Sequence, residues 1–140
     1  MVLSEAELSR GAQLLVEARS IDDVDAALDE ISAYWSHDRG LVLGARVEGR
    51  LAGVAIGSFD GYRGTLRRVA IDAHLRRRGI ASSLVSALEE RLIERGARLL
   101  RLHVERENEP AQALWTARGY VPIAVTYMGK PVDPPPVTGY

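Results

Sequence analysis

The sequence contains no cysteine, and Lys130 is its only lysine among 140 residues. Without cysteine, disulfides, thiolate metal sites and a covalent intermediate on a cysteine are excluded, and we expect no metal. No apolar run approaches the roughly 20 residues of a membrane helix, and no signal peptide is visible. We therefore expect a cytoplasmic protein that does not contact a membrane. The net charge of −1 gives no overall attraction to nucleic acid.

The composition is that of a single globular domain. Hydrophobic residues make up 46% of the chain and charged residues 26%, which is ordinary for a soluble fold with its own core. We expect one domain over residues 1–130. Residues 131–140 contain four prolines and are expected to form an extended tail.

The chain is organised around residues 65–95, which predict a strand, a loop and a helix. Leu66 to Asp72 is expected to be a buried strand. Gly79 to Arg95 predicts an amphipathic helix, because apolar residues recur every four positions at Ile80, Leu84, Leu88 and Leu92. Three consecutive arginines precede Gly79 at the mouth of that helix.

This loop suits a bound anion. The first turn of a helix has backbone N–H groups without intrahelical partners, and the helix dipole adds partial positive charge there. Gly79 and Ala81 are small, and Ser82 and Ser83 offer hydroxyl donors, so a pyrophosphate is a suitable guest. The alternative is an ordinary connection with a solvated arginine run. Neither a P-loop motif nor a G-x-G-x-x-G motif is present.

Two linked motifs carry a family resemblance. Arg76-x-x-Gly79-x-Ala81, after a strand ending V-A-I-D, resembles the acetyl-CoA motif of the GNAT superfamily of N-acetyltransferases. Downstream, Asn108-E-P-A-Q-A-L-W-T-A-R-G-Tyr120 resembles the family motif N-x-x-A-x-x-L-Y-x-x-x-G-F/Y. The resemblance covers about residues 13–130 and is strongest from Gly53 to Tyr120. The chain is also similar to a subgroup of small bacterial GNAT proteins whose substrates are poorly defined.

The resemblance implies an acetyl-CoA site. The strand before the loop would diverge from its neighbour, and its backbone would pair with the pantetheine arm at Val69, Ala70 and Ile71. Asn108 matches an asparagine that contacts the same arm; its alternative role is a helix N-cap. The pyrophosphate would contact the residues of the loop and first helical turn: Arg76, Arg77, Arg78, Gly79, Ile80, Ala81 and Ser82.

Acetyl transfer also needs a base, an oxyanion donor and an acid for the leaving thiolate. The resemblance implies a backbone N–H near Ala70 or Ile71 as the oxyanion donor. The family often uses the tyrosine of its second motif as acid, but this chain has Trp115 there. Either bulk water, Tyr120 or another tyrosine replaces it, or catalysis is weak. Trp115 is otherwise expected to be a core residue.

His103 is the candidate base. It lies on the strand beside the divergence, where family members that acetylate a ribosomal protein N-terminus have a glutamate proposed for this role. A histidine suits proton transfer near neutral pH; the alternative is a strand histidine with no catalytic part. Glu105 is the reserve base. His37 and His74 are expected on the surface.

The turn Asp60-Gly61-Tyr62-Arg63-Gly64 resembles a D-G-H-R-G turn of the same subgroup. Asp60, Tyr62 and Arg63 are candidates for acceptor binding. The alternative, which we favour slightly, is structural: the glycines suit turn geometry, and Asp60 can pair with Arg63.

The predicted fold is α/β, with a mixed, mostly antiparallel sheet, helices on both faces and the order β-α-β-β-β-α-β-α-β. Its strands fall at Gln13–Arg19, Leu41–Glu48, Leu51–Phe59, 65–72, Arg98–Val104 and Tyr120–Met128. Ser4-x-x-Glu7 opens a short helix ended by Gly11. Another follows an N-cap at Ser20, and a last one runs from Asn108 to Gly119.

Members of the family usually have two helices between their first and second strands, and this chain is predicted to depart from that pattern. About 20 residues separate those strands here, which leaves room for one helix. The acceptor side would then be open or completed by a partner subunit, and a homodimer is possible.

Three function classes remain. The first is an acetyl-CoA-dependent N-acetyltransferase whose acceptor is an amine of a small molecule, a protein N-terminus or a lysine. The second is an acetyl-CoA-binding regulatory module of the same fold without catalysis, which Trp115 keeps open. A nucleic-acid-binding protein is disfavoured by the mild acidity and by the lack of aromatics among the arginines.

Overall fold

The computed structural model describes residues 1–132, and a four-stranded sheet is at its centre. The tail predicted for residues 131–140 lies, from residue 133 on, outside the described residues. The strands lie side by side in chain order: β1 (Val42–Val47), β2 (Arg50–Phe59), β3 (Arg63–Ile71) and β4 (Leu99–Leu102). The first three are antiparallel, and β3 and β4 are parallel. The predicted mixed, mostly antiparallel sheet is confirmed.

Helices cover both faces of this sheet, as predicted. They are α1 (Leu8–Glu17), α2 (Val24–His37), α3 (Ile80–Glu94) and α4 (Glu109–Ala117), with short 3₁₀ turns at Glu5–Glu7, Arg39–Leu41 and Ala73–Leu75. Side chains alternate across a strand, so Val54 and Ile56 of β2 pack with α1 and α2, while Ala55 packs with α3. No helix within residues 1–132 is long and apolar enough to cross a membrane.

Helix α3 packs closely against the sheet at Gly57 of β2. A Cβ atom at Gly57 would lie 2.8 Å from Leu88 Cδ1, so the leucine occupies the space that a side chain would need. Leu88 itself is fully buried. This contact fixes the distance of α3, and therefore of the loop before it, from the sheet.

Leu88→Ala is expected to lower the free energy of unfolding by about 2–5 kcal/mol, because it removes buried apolar surface and leaves a cavity. Urea denaturation measures this loss. The matched control is Ile93→Ala on the same helix, where the side chain is 58% exposed and the expected change is within about 0.5 kcal/mol. Equal losses in the two variants would contradict the assigned core.

The predicted strand at Gln13–Arg19 is wrong, because these residues lie mostly in α1. The buried residues of α1 include Leu8, Gly11, Ala12 and Leu15, which is helical spacing. Gly11 does not end a helix but lies inside one, and a Cβ there would be 2.8 Å from Ile31 Cδ1. The glycine therefore allows α1 and α2 to pack closely.

The predicted shortage of helices is also wrong. A single antiparallel bridge joins Val2 to Leu43, and both α1 and α2 follow it before β1 begins. The N-cap of α2 is Asp23, whose carboxylate accepts the Ala26 N–H at 3.0 Å, rather than Ser20. Because α1 and α2 are both present, the argument that a partner subunit replaces a missing helix loses its basis.

The predicted strand at Tyr120–Met128 is not formed. These residues have no regular secondary structure, although Val121, Ile123 and Val125 alternate as in a strand. The element order is therefore α-α-β-β-β-α-β-α rather than β-α-β-β-β-α-β-α-β. Strands β1 and β2 form a hairpin, with its turn at Glu48-Gly49, where both residues have positive φ.

An ion pair between Glu7 and Arg46 attaches the N-terminal segment to β1. The hydrogen bond from Arg46 is the largest cause that lowers the pKa of Glu7 from 4.5 to about 2. A carboxylate with a depressed folded-state pKa stabilises the fold above its unfolded pKa and loses that effect as the pH falls towards its folded pKa.

Glu7→Gln is therefore expected to lower stability near neutral pH by about 1 kcal/mol, since the pair is partly exposed. It should also flatten the loss of stability between roughly pH 4.5 and pH 2. Thermal unfolding across this range measures the effect, with Glu5→Gln as control. A wild-type slope that persists in Glu7→Gln would contradict the assignment.

Candidate active site

Strands β3 and β4 diverge part of the way along the sheet. Their pairing runs from Arg63 opposite Leu99 to Leu66 opposite Leu102 and then ends. Beyond it, Val69, Ala70 and Ile71 are paired, within residues 1–132, with β2 alone. The sequence-predicted pantetheine residues therefore lie on a strand edge that faces the divergence, where the backbone groups on the β4 side are left without a partner in that strand.

The loop after β3 leads directly to the N-terminus of α3. Asp72 accepts the His74 N–H at 2.9 Å and caps the 3₁₀ turn at Ala73–Leu75. Left-handed φ values at Arg77 (67°) and Gly79 (76°) then curl the backbone into α3. The arginine side chains at 76, 77 and 78 are exposed. The loop thus presents three cations beside the unpaired N–H groups of the first helical turn.

Gly79 leaves open space at the N-cap of α3. A Cβ built there would meet no atom within 4 Å, so the glycine is required by its φ of 76° and not by crowding from protein atoms. The open space lies where the helix presents its N–H groups. This geometry suits a phosphate that approaches the backbone closely.

The side chain of Arg118, which follows α4, attaches that helix to α3 close to the loop. Its guanidinium donates to Ser82 Oγ at 3.3 Å, to Ser86 Oγ at 3.0 Å and to Glu89 at 2.8 Å. Ser82 is among the predicted phosphate ligands. Because its oxygen accepts from Arg118, its hydroxyl hydrogen is available to donate.

Asn108 is the N-cap of α4. Its Oδ1 accepts the Ala111 N–H at 3.2 Å, so the alternative role considered from the sequence is the one seen in the structure. The cap uses only the oxygen of the side chain. The NH₂ group makes no hydrogen bond within residues 1–132, so contact with the cofactor arm stays a compatible prediction.

His103 directly follows β4, on the side of the sheet that α1 and α2 pack against. Its ring lies 4.3 Å from the ring of Tyr127, centroid to centroid. His103 is exposed, yet the desolvation that remains, and after it the guanidinium groups of Arg67 and Arg101, lower its pKa. The imidazole is therefore neutral at neutral pH, which is the form that can accept a proton.

Neither Tyr120, considered as a replacement acid, nor Trp115, which stands where the family has its acid tyrosine, is placed to supply a proton. The Tyr120 hydroxyl donates to Glu89 Oε2 at 2.7 Å; burial, followed by this bond, raises the pKa of Tyr120. A phenol held in this way is a poor proton donor. Trp115 packs against the α3-side core and meets Tyr120 edge-on at 5.5 Å, as its alternative reading expected.

The turn at residues 60–64 lies at the start of β3, at the opposite end of that strand from the loop before α3. Asp60 Oδ1 accepts the N–H groups of Tyr62 (2.9 Å) and Arg63 (2.7 Å). These bonds lower the pKa of Asp60. The carboxylate therefore holds the turn through backbone groups and not through the Arg63 guanidinium. Acceptor binding by Asp60, Tyr62 and Arg63 stays a prediction.

The remaining candidates are exposed. His37 is the last residue of α2, and His74 lies in the 3₁₀ turn before the loop. Glu105 is exposed, and its backbone oxygen accepts from Asn108 and Gln112. Sequence reasoning missed Arg67 and Tyr127, both close to His103. Two adjacent arginines within a buried strand were the available signal for Arg67.

A mixed sheet whose parallel strands diverge beside a helix N-terminus is the arrangement that the resemblance to the N-acetyltransferases implied. Residues 9–120 match the model of the acetyltransferase (GNAT) family. An acetyltransferase of Pectobacterium atrosepticum is 33% identical over 101 residues, which is 72% of each chain. The chain belongs to the acetyltransferase (GNAT) family, which confirms the predicted N-acetyltransferase class.

Solved structures show the same fold at lower identity. An aminoglycoside N-acetyltransferase in complex with a CoA-containing bisubstrate analogue is 19% identical, with a TM-score of 0.77, and the match covers 94% of this chain and 97% of that one. A ribosomal-protein-alanine N-acetyltransferase of Brucella melitensis biovar Abortus is 22% identical, with a TM-score of 0.70, over 93% and 97%. The predicted fold is therefore confirmed by proteins with different acceptors.

Proposed function

We propose that the protein transfers an acetyl group from acetyl-CoA directly to the amine of an acceptor molecule. The observation that carries this proposal is the divergence of β3 and β4 after Leu66 and Leu102. One end of the divergence is bordered by the arginine loop and the N-terminus of α3. His103 stands beside β4 at the point where the strands part.

The residues around the divergence fit CoA chemistry. The exposed guanidinium groups of the loop, the first-turn N–H groups of α3 and the open space at Gly79 match a pyrophosphate. The strand edge at residues 69–71, which is not paired with β4, matches the amides of pantetheine. Acetyl-CoA would supply an acetyl group activated as a thioester.

His103 is proposed as the general base. The amine nitrogen of the acceptor forms a bond to the acetyl carbonyl carbon, and the thioester C–S bond breaks. The neutral imidazole nitrogen of His103 takes one proton from that amine. The backbone N–H of Ala70 or Ile71 is the proposed donor to the developing oxyanion. Water returns a proton to the thiolate, because the Tyr120 hydroxyl is bonded to Glu89.

Calorimetric titration with acetyl-CoA and with CoA, followed by a thiol-release assay over an amine panel, tests this function. Binding together with acceptor-dependent thiol release is expected. Binding without release for any amine would favour the regulatory module, for which the packing of Trp115 against the core, at the position of the family's acid tyrosine, is the supporting observation. Absence of binding would overturn the assignment of the loop.

A further inference from the structure

A β-bulge presents Arg67 to the candidate active site. Ile56 of β2 pairs with Arg68 and the next residue, Gly57, pairs with Leu66, so Arg67 is the extra residue. Bulges change the direction of a side chain and are common beside active sites. The Arg67 guanidinium donates to Ser58 Oγ at 2.9 Å. Ser58 is two residues after Ile56, so both side chains lie on the face of the sheet that α1 and α2 pack against. Arg67, which bonds to Ser58, lies on the same face.

Arg67 differs from the other arginines of this face in having no carboxylate partner among the residues that the structure describes. Arg68 pairs with Glu30 at 2.8 Å, and Arg101 lies 3.9 Å from Asp60. No carboxylate within the described residues 1–132 is at ion-pair distance from Arg67. It is nevertheless partly buried, and a partly buried guanidinium without a counter-ion is costly unless a ligand supplies one.

The candidate base shares this face with Arg67. Arg101 pairs with Thr65, which is opposite Ser58, so Arg101 and His103 project to the same side of the sheet as Arg67. The charges of Arg67 and Arg101 both reach His103, because both contribute to lowering its pKa after burial. We name Arg67, Arg101 and His103 the basic face.

We propose that the acceptor is an amine that also carries an oxyanion, a carboxylate or a phosphate, and that Arg67 binds this group. The inference rests on the proposed acetyl transfer. A guanidinium fork matches both oxyanions bidentately, and it holds the amine of the same molecule near His103. The positive basic face also favours the neutral, nucleophilic form of an amine bound beside it.

The basic face disfavours polycationic acceptors. The aminoglycoside N-acetyltransferase with the same fold has acceptors that carry several ammonium groups at neutral pH, and such molecules would be repelled by two guanidinium groups. Likeness of fold therefore does not extend to the kind of acceptor. A small amine with one oxyanion fits the charge of this site better.

Matched acceptor pairs test the inference on the protein saturated with acetyl-CoA. One arm compares a mixture of amino acids with the mixture of their C-terminal amides, and a second compares phosphoethanolamine with ethanolamine. Thiol release and product mass are measured, with spermidine as the polycation. We expect kcat/KM to be at least about tenfold higher for one of the two oxyanion-bearing sets than for its neutral partner. Amidation lowers the pKa of the amine, so the amides are intrinsically more reactive than the free amino acids. The expected preference for the free amino acids therefore runs against intrinsic reactivity.

Arg67→Met should remove this preference and leave acetyl-CoA affinity unchanged, whereas Arg67→Lys should retain part of it because the charge remains. Arg98→Met, an exposed arginine before β4, is the matched control and should behave as wild type. The inference would be overturned by equal rates within both pairs, or by faster reaction of the neutral partners or of spermidine. It would also be overturned if the protein binds acetyl-CoA but acetylates no oxyanion-bearing amine. Loss of acetyl-CoA binding in the wild type would instead overturn the proposed function.

Discussion

Gly79→Glu is expected to reduce the affinity for acetyl-CoA by at least about a hundredfold, equivalent to roughly 2.7 kcal/mol. The substitution places a carboxylate at the N-cap of α3, beside the first-turn N–H groups and the exposed arginine loop. A Cβ there meets no protein atom within 4 Å, so the new side chain occupies the space proposed for the pyrophosphate and repels its charge. Calorimetric titration of the purified variant measures the change.

Gly49→Glu is a closely matched control for backbone strain. Gly49 has φ of 78° against 76° for Gly79, and a Cβ at either position meets nothing within 4 Å. Both variants therefore bear a similar cost of about 1–2 kcal/mol for a side chain at positive φ, but Gly49 lies in the β1–β2 turn. Gly49→Glu should bind acetyl-CoA as wild type does. An unchanged affinity in Gly79→Glu would refute the assignment of the loop.

The strand, loop and helix of residues 65–95 were predictable because local signals and burial agree there. Leu84, Leu88 and Leu92 recur on one face of α3 and are all buried in the structure. Gly79 was predicted at the mouth of the helix and is its N-cap. Helix N-terminus chemistry follows from such local features, so the candidate phosphate site was accessible from the sequence.

The first and last predicted strands failed for different physical reasons. The run Leu14-Leu15-Val16 resembles a buried strand, and a short apolar run does not separate strand from helix; the helical spacing of Leu8, Ala12 and Leu15 was the stronger signal. Residues 120–128 alternate as a strand should, but a strand also needs a neighbour to pair with. Pairing depends on tertiary structure, which alternation does not reveal.

The placement of Arg67 beside the candidate base could not be predicted from the sequence, for a related reason. A bulge is a mismatch between two strands, and it is visible only once the register of Ile56 with Arg68 is known. The same holds for the hydrogen bonds of Glu89, which accepts from Arg118 and Tyr120. Tyr120 was considered as an acid because Trp115 occupies the motif's tyrosine position, but Glu89, far away in sequence, accepts its hydroxyl hydrogen and makes that role unsuitable.

His103→Ala is expected to lower kcat/KM by about 10²–10⁴-fold, the usual contribution of a positioned general base, with acetyl-CoA affinity unchanged. The pH profile gives the more specific test. Because burial and the neighbouring arginines lower the pKa of His103 from 6.5, its imidazole becomes neutral as the pH rises through a value below 6.5. The wild-type rate should therefore rise over that acidic range, and this limb should be absent from the variant.

His74→Ala supplies the control, because His74 is exposed in the 3₁₀ turn before the loop and does not border the basic face. It should retain both the wild-type rate and the acidic limb. If the limb persisted in His103→Ala, another group would be the base, and Glu105→Gln would be the next variant to measure. A large loss of acetyl-CoA affinity in His103→Ala would instead show that the histidine supports the cofactor site, since a base that acts on the acceptor amine leaves cofactor binding intact.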